Sequence, residues 1–141
     1  MKPFETLSMP VPGRVFHPGD EQVFKVWHMN SVAKMIGHAA TAFQIENEEK
    51  EPGFPDALID IQGMAPLYIE YKVSDNKGVI EFQKAQPRFY KQHAGMPIYV
   101  VAYSVPDDAY YVFKAAHVLH AMVATDRSKP LRVRIMGGSL V

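Results

Sequence analysis

The sequence predicts an α/β protein: a mixed β-sheet flanked by helices, in a single domain. Three observations carry that expectation. Runs at 41–46, 57–61, 66–73, 98–103, 109–113 and 131–136 read as strands, the clearest with the two-residue alternation of a pleated chain. Segments at 21–36, about 82–93 and 115–123 carry apolar residues at helical spacing. The order is helix, three strands, helix, two strands, a small helix and a last strand, in 141 residues, which is room for one core.

Each element has a local cause. Residues 1–19 hold Pro3, Pro10, Pro12, Gly13, Pro18 and Gly19, so an extended arm is expected there, with the folded domain over 20–141. Asp20 caps a helix beginning at Glu21, with Val23, Phe24, Trp27, Val32, Met35 and Ile36 as its apolar stripe and Gly37 as its stop. A hairpin joins 57–61 to 66–73 around Gln62-Gly63. Ser74 to Gly78 reads as a turn. The next helix shows Phe82, Ala85, Phe89 and Tyr90 on one side. Pro87 allows its start to fall as late as Gln86, since proline is tolerated in a first turn.

Composition removes several classes. Hydrophobic residues make up 48% and charged residues 21%, the balance of a globular chain. There is no cysteine, hence neither disulfide nor thiolate metal site. No apolar run reaches membrane-span length and the N-terminus is not built as a signal peptide, so a cytoplasmic protein without a membrane partner is expected, in the host cytoplasm if it is phage-encoded. Net charge is zero, which argues against a simple basic DNA coat. The zero hides a split: residues 1–71 hold 5 Lys/Arg against 10 Asp/Glu, and residues 72–141 hold 10 against 5. An acidic cation-binding centre beside a basic surface gives such a split.

The chemistry concentrates in two stretches. In the 66–73 strand, Leu67, Ile69, Tyr71 and Val73 take one face, leaving Tyr68, Glu70 and Lys72 on the other. Just upstream, Asp56 follows Gly53-Phe54-Pro55 and opens the neighbouring run. If the two runs pair, Asp56, Glu70 and Lys72 meet. A buried carboxylate costs several kcal/mol unless it finds a partner or a metal. Two carboxylates for a hard cation and an ammonium to position water are what phosphodiester hydrolysis needs. A solvated strand face is the bland alternative for a charged pair two residues apart.

Gly53-Phe54-Pro55-Asp56, then Glu70-Tyr71-Lys72, then Gln86 opening a helix, followed by Gly95 and the 98–103 strand, resembles the PD-(D/E)XK nuclease superfamily. Within it the pattern is similar to phage and archaeal Holliday-junction resolvases and to virus-type replication-repair nucleases. The resemblance covers about 41–104 and implies a restriction-endonuclease-like fold. It implies Asp56, Glu70 and the Tyr71 backbone carbonyl as ligands of Mg²⁺ or Mn²⁺. Lys72 would act on the attacking water and the growing phosphate charge, and Gln86 would hold the lysine or the scissile phosphate. Helix capping is the alternative role for Gln86. A further acid is expected, either Glu46 or its rival Glu21; Asp60 reads as secondary or solvated. Lys84, Arg88 and Lys91 line one side of the Gln86 helix and, with Lys77, suit phosphate contacts. His117 and His120 lack a third zinc ligand at suitable spacing.

The expected function is a Mg²⁺-dependent DNA endonuclease, narrowly a branched-DNA resolvase acting as a homodimer. A phage replication-repair or flap nuclease is the rival enzyme. A non-catalytic DNA-binding module on the same fold is the rival of another class.

Overall fold

The computed structural model describes residues 15–36, 40–44, 51–61, 63, 65–122 and 131–141. Most of the expected 1–19 arm, and the segment holding Glu46, lie outside the described residues. The elements run α1 (Glu21–Ile36), β1 (Ala40–Gln44), β2 (Ala57–Ile61), β3 (Leu67–Val73), β4 (Val79–Phe82), α2 (Ala85–Gln92), β5 (Ile98–Ser104), β6 (Ala109–Lys114), α3 (Ala115–Met122), β7 (Leu131–Met136) and β8 (Ser139–Leu140). The expected mixed α/β architecture is present. Among the described residues no helix is long and apolar enough to cross a membrane.

The main sheet has the order β1-β2-β3-β5-β6. Only the β3–β5 pair is parallel, with Tyr68 opposite Ile98 and Val73 opposite Tyr103. β3 is therefore central, and both its faces are covered. Leu67, Ile69, Tyr71 and Val73 join a core with Phe16, Phe24, Met29 and Tyr103 beneath α1. The opposite face looks toward a second core, where Phe82, Phe89, Tyr90, Val100, Val118 and Val133 meet beneath α2 and α3. Phe16, just ahead of α1, is 2% exposed, and its ring meets Phe24 and Tyr103 edge-on at 5.3 and 5.1 Å between centroids.

Three local expectations are corrected. Phe82 closes a strand, residues 79–82, rather than opening the helix: Ile80 and Phe82 point inward and Glu81 outward, a two-residue period. β4 pairs with β7, and β7 with the short β8, in a separate three-stranded sheet. The last strand thus leaves the main sheet. The turn before β4 is closed by Asp75, whose Oδ1 accepts the Lys77 and Val79 amides at 2.8 and 2.9 Å. Finally, Val23 on α1 lies 52% exposed, because the buried side of that helix is Phe24, His28 and Met29, with Lys25 beside them.

His28 is fully buried, and its Nδ1 lies 2.8 Å from the Tyr71 hydroxyl. Burial lowers its pKa from 6.5 to about 3 and pushes the Tyr71 hydroxyl well above the ordinary tyrosine range. The unfolded chain therefore takes up a proton below pH 6.5 that the folded chain refuses until about pH 3. Stability that is complete above pH 6.5 should fall by about 1.4 kcal/mol per pH unit through that window. Denaturation midpoints measured from pH 7 to pH 4 should show the decline, and His28→Gln should flatten it. An unchanged slope in that variant would place the acid sensitivity elsewhere.

Candidate active site

The Gly53-Phe54-Pro55-Asp56 segment is held at three points. Gly53 has φ +86°, and a Cβ placed there would stand 2.2 Å from the Ala85 carbonyl oxygen, so the loop lies directly on the first turn of α2. The Phe54 ring sits edge-on to Tyr68 of β3, at 5.8 Å, and to Phe89 of α2, at 5.2 Å. Asp56 donates its amide to the Ile69 carbonyl at 2.9 Å, and its Oδ2 accepts the Tyr71 amide at 3.2 Å. The ladder ends at the Ala57–Ile69 pair, and Asp56, one residue before it, donates to that same Ile69 carbonyl, so the chain bulges here and its carboxylate turns to the amide of Tyr71, the residue between Glu70 and Lys72.

Glu70 is 3% exposed. Its Oε1 accepts a hydrogen bond from the Gln86 side-chain amide and lies 3.8 Å from the Lys72 ammonium. Lys72 donates to the Gln86 Oε1 at 3.0 Å. Gln86 thus ties the acid to the lysine. Its Oε1 also accepts the Gln83 amide at 3.0 Å, one residue before the Lys84 N-cap of α2, which itself has no side-chain cap bond. The helix-capping role weighed for Gln86 is not seen; its side chain instead bonds Glu70, Lys72 and the Gln83 amide. Four sequence-separated residues, Asp56, Glu70, Lys72 and Gln86, are assembled by β2, β3 and α2.

The donor chemistry suits a hard divalent cation. Asp56 bonds the amide of Tyr71, between Glu70 and Lys72, and both carboxylates act on the Tyr90 hydroxyl, so two acids and one lysine share a site where Glu70 is shielded from water. Mg²⁺ takes few carboxylates and keeps several waters, so a pair of acids suffices. Among the described residues no group of three or more His, Asp or Glu gathers. Of the two acids considered as a supplement, Glu46 lies outside the described residues, and Glu21 sits in the first turn of α1, partly buried.

No protein-family model matches the sequence, and no curated protein matches it. Solved structures do. The Holliday junction resolvase Hjc of the archaeal hyperthermophile Archaeoglobus fulgidus superposes with a TM-score of 0.56, covering 80% of this chain and 87% of the resolvase at 16% identity. The fold is the restriction-endonuclease-like nuclease fold. A bacterial homing endonuclease is also similar, with a TM-score of 0.48, 16% identity, and 82% and 83% of the two chains covered.

The cations named from sequence sit around this nuclease fold as follows. Arg88 and Lys91 are exposed on α2, the helix that supplies Gln86, and Lys84 is exposed at its N-cap. Lys77 is exposed in the β3–β4 turn, where its carbonyl accepts the Arg134 Nε at 3.1 Å. Arg132 and Arg134 are exposed on β7, and Arg132 pairs with Glu81 at 2.9 Å. Asp60 is exposed on β2, and His117 and His120 are exposed on α3.

Two residues that sequence reasoning assigned to the apolar side of α2 reach the site. Tyr90 is 2% exposed, one helical turn after Gln86, with no hydrogen-bond partner for its hydroxyl among the described residues. Burial, joined by the Glu70 and Asp56 carboxylates, pushes its ionisation far above the ordinary tyrosine range, so it stays protonated and able to donate. Its four-residue spacing from Gln86 was the available signal. The other is Phe82, which reaches the Lys72 head from β4 rather than from the helix.

Proposed function

We propose that the protein is a divalent-metal-dependent DNA endonuclease, and within that class a resolvase of branched DNA that acts as a homodimer. The reading is carried by one observation: on this fold Asp56 bonds the backbone between Glu70 and Lys72, and Gln86 hydrogen-bonds both Glu70 and Lys72. Asp56, Glu70 and the Tyr71 carbonyl are the residues to hold Mg²⁺ or Mn²⁺. Such an ion supplies Lewis-acid polarisation of the phosphate and a more acidic water. Lys72, steadied from two sides, orients the attacking water and meets the negative charge that develops on the phosphate. Gln86 fixes the lysine against rotation. Lys77, Lys84, Arg88 and Lys91 contact DNA phosphates in a sequence-blind, salt-sensitive way.

The preference for branched DNA rests on similarity to the archaeal resolvase and on symmetry. A four-way junction needs paired cuts, and a twofold dimer delivers them. The test compares a synthetic four-way junction with linear duplex and single strand, in Mg²⁺ and in chelator. Two symmetric nicks confined to the junction, and lost on chelation, are expected. Equal cutting of linear duplex would remove the resolvase reading, with flap substrates next to try. Binding without any cutting would leave a DNA-binding module.

A further inference from the structure

We propose that Phe82 is a positioning residue for Lys72, and that the small β4-β7-β8 sheet serves the site by presenting it. The inference rests on the nuclease reading only for its kinetic consequence. The Lys72 ammonium lies 4.7 Å from the centroid of the Phe82 ring. Phe82 is 1% exposed, so it cannot touch DNA itself. It sits at the end of β4, paired with Leu131 of β7, and meets Tyr90 edge-on at 6.5 Å. Lys72 is thereby seated by three elements. Glu70 stands beside it on β3, Gln86 holds its head from α2, and the face of an aromatic ring backs it from β4.

The ring does what another carboxylate would not. Its quadrupole attracts the ammonium without offering an acceptor that competes for the lysine's protons. The N–H groups not given to Gln86 therefore stay available to water or phosphate. An aliphatic residue would fill the same space with no directional pull. A lysine on a flexible stem needs such restraint, because a misplaced head costs rate more than affinity.

The test replaces Phe82 with a graded series of ring-fluorinated phenylalanines, which keep shape while draining the ring face of negative potential. kcat for DNA cleavage should fall stepwise, by about three- to twentyfold at full fluorination, with DNA affinity and melting temperature unchanged. Phe82→Leu should reproduce the fall in kcat. An unchanged kcat across the series would overturn the proposal. A second measurement is independent of catalysis. The ε-methylene protons of Lys72 should resonate upfield in the wild type, shielded by the ring, and lose that shift in Phe82→Leu. Absence of the shift in the wild type also overturns it. If the shift is present but the protein cuts no DNA, the seat for the lysine stands and the nuclease reading is what fails.

Discussion

Asp56→Asn is expected to lower DNA cleavage by a factor on the order of 10³ while leaving fold and DNA affinity intact. The substitution keeps the shape of the side chain. Its amide oxygen can still accept the Tyr71 N–H that Asp56 Oδ2 now takes at 3.2 Å, so the junction between β2 and β3 survives. What disappears is one of two negative charges facing the same space. Ion affinity and the field on the attacking water both depend on that charge. Phosphate binding does not, and loses a like charge that repels it. Cleavage in Mg²⁺ and junction binding by fluorescence anisotropy in chelator separate the two. Cleavage within about tenfold of wild type would take Asp56 out of the site. Glu70→Gln is the companion variant, because Glu70 is the more buried acid and the one that Gln86 and Lys72 both address.

Gly53→Ala should be the most damaging glycine-to-alanine change among the described residues. The backbone at Gly53 has φ +86°, which costs an L-residue about 1–3 kcal/mol, and the added Cβ would meet the Ala85 carbonyl oxygen at 2.2 Å. Neither party can yield cheaply, since both are backbone. Displacement of the loop adds about 1–3 kcal/mol more, and the melting temperature should drop on the order of 10 °C. Gly63→Ala supplies the control. Gly63 has nearly the same dihedral, φ +83°, but a methyl added there would meet nothing within 4 Å, so it carries the conformational cost alone. The difference between the two melts isolates the contact. Activity should fall further than stability in Gly53→Ala, because that contact holds Asp56 in line with Gln86. Equal melts for the two variants would show that the loop does not bear on α2.

Much of the site was legible because its residues announce themselves locally. A glycine and a proline precede Asp56 in a tight turn, and a strict alternation places Glu70 with Lys72 on one face of β3. Gln86 stands where a helix begins, at a position with its own turn chemistry. The main sheet was legible for the same reason, since its strands carry a clear period or a continuous apolar run. β4 was not. It is four residues long and runs almost directly into α2, so Phe82 falls by accident at helical spacing from Ala85 and Phe89. Val23 of α1 misled in the opposite sense: it is apolar but faces away from the core, and it mimics a broader buried stripe. Tyr90 and Phe82 look like ordinary core residues in sequence. Their relation to the site comes from which wall of the core they line, and that is set by tertiary pairing between β4 and β7 and by the seating of α2.

β3 carries acid and lysine on one side and the Tyr71–His28 pair on the other. A single strand is thus a shared wall between a wet workplace and a dry vault. Acid that charges the imidazole behind the wall loosens the very strand that bears Glu70 and Lys72 in front. Stability forfeited at the rear in acid is thus forfeited by the strand that carries the site in front.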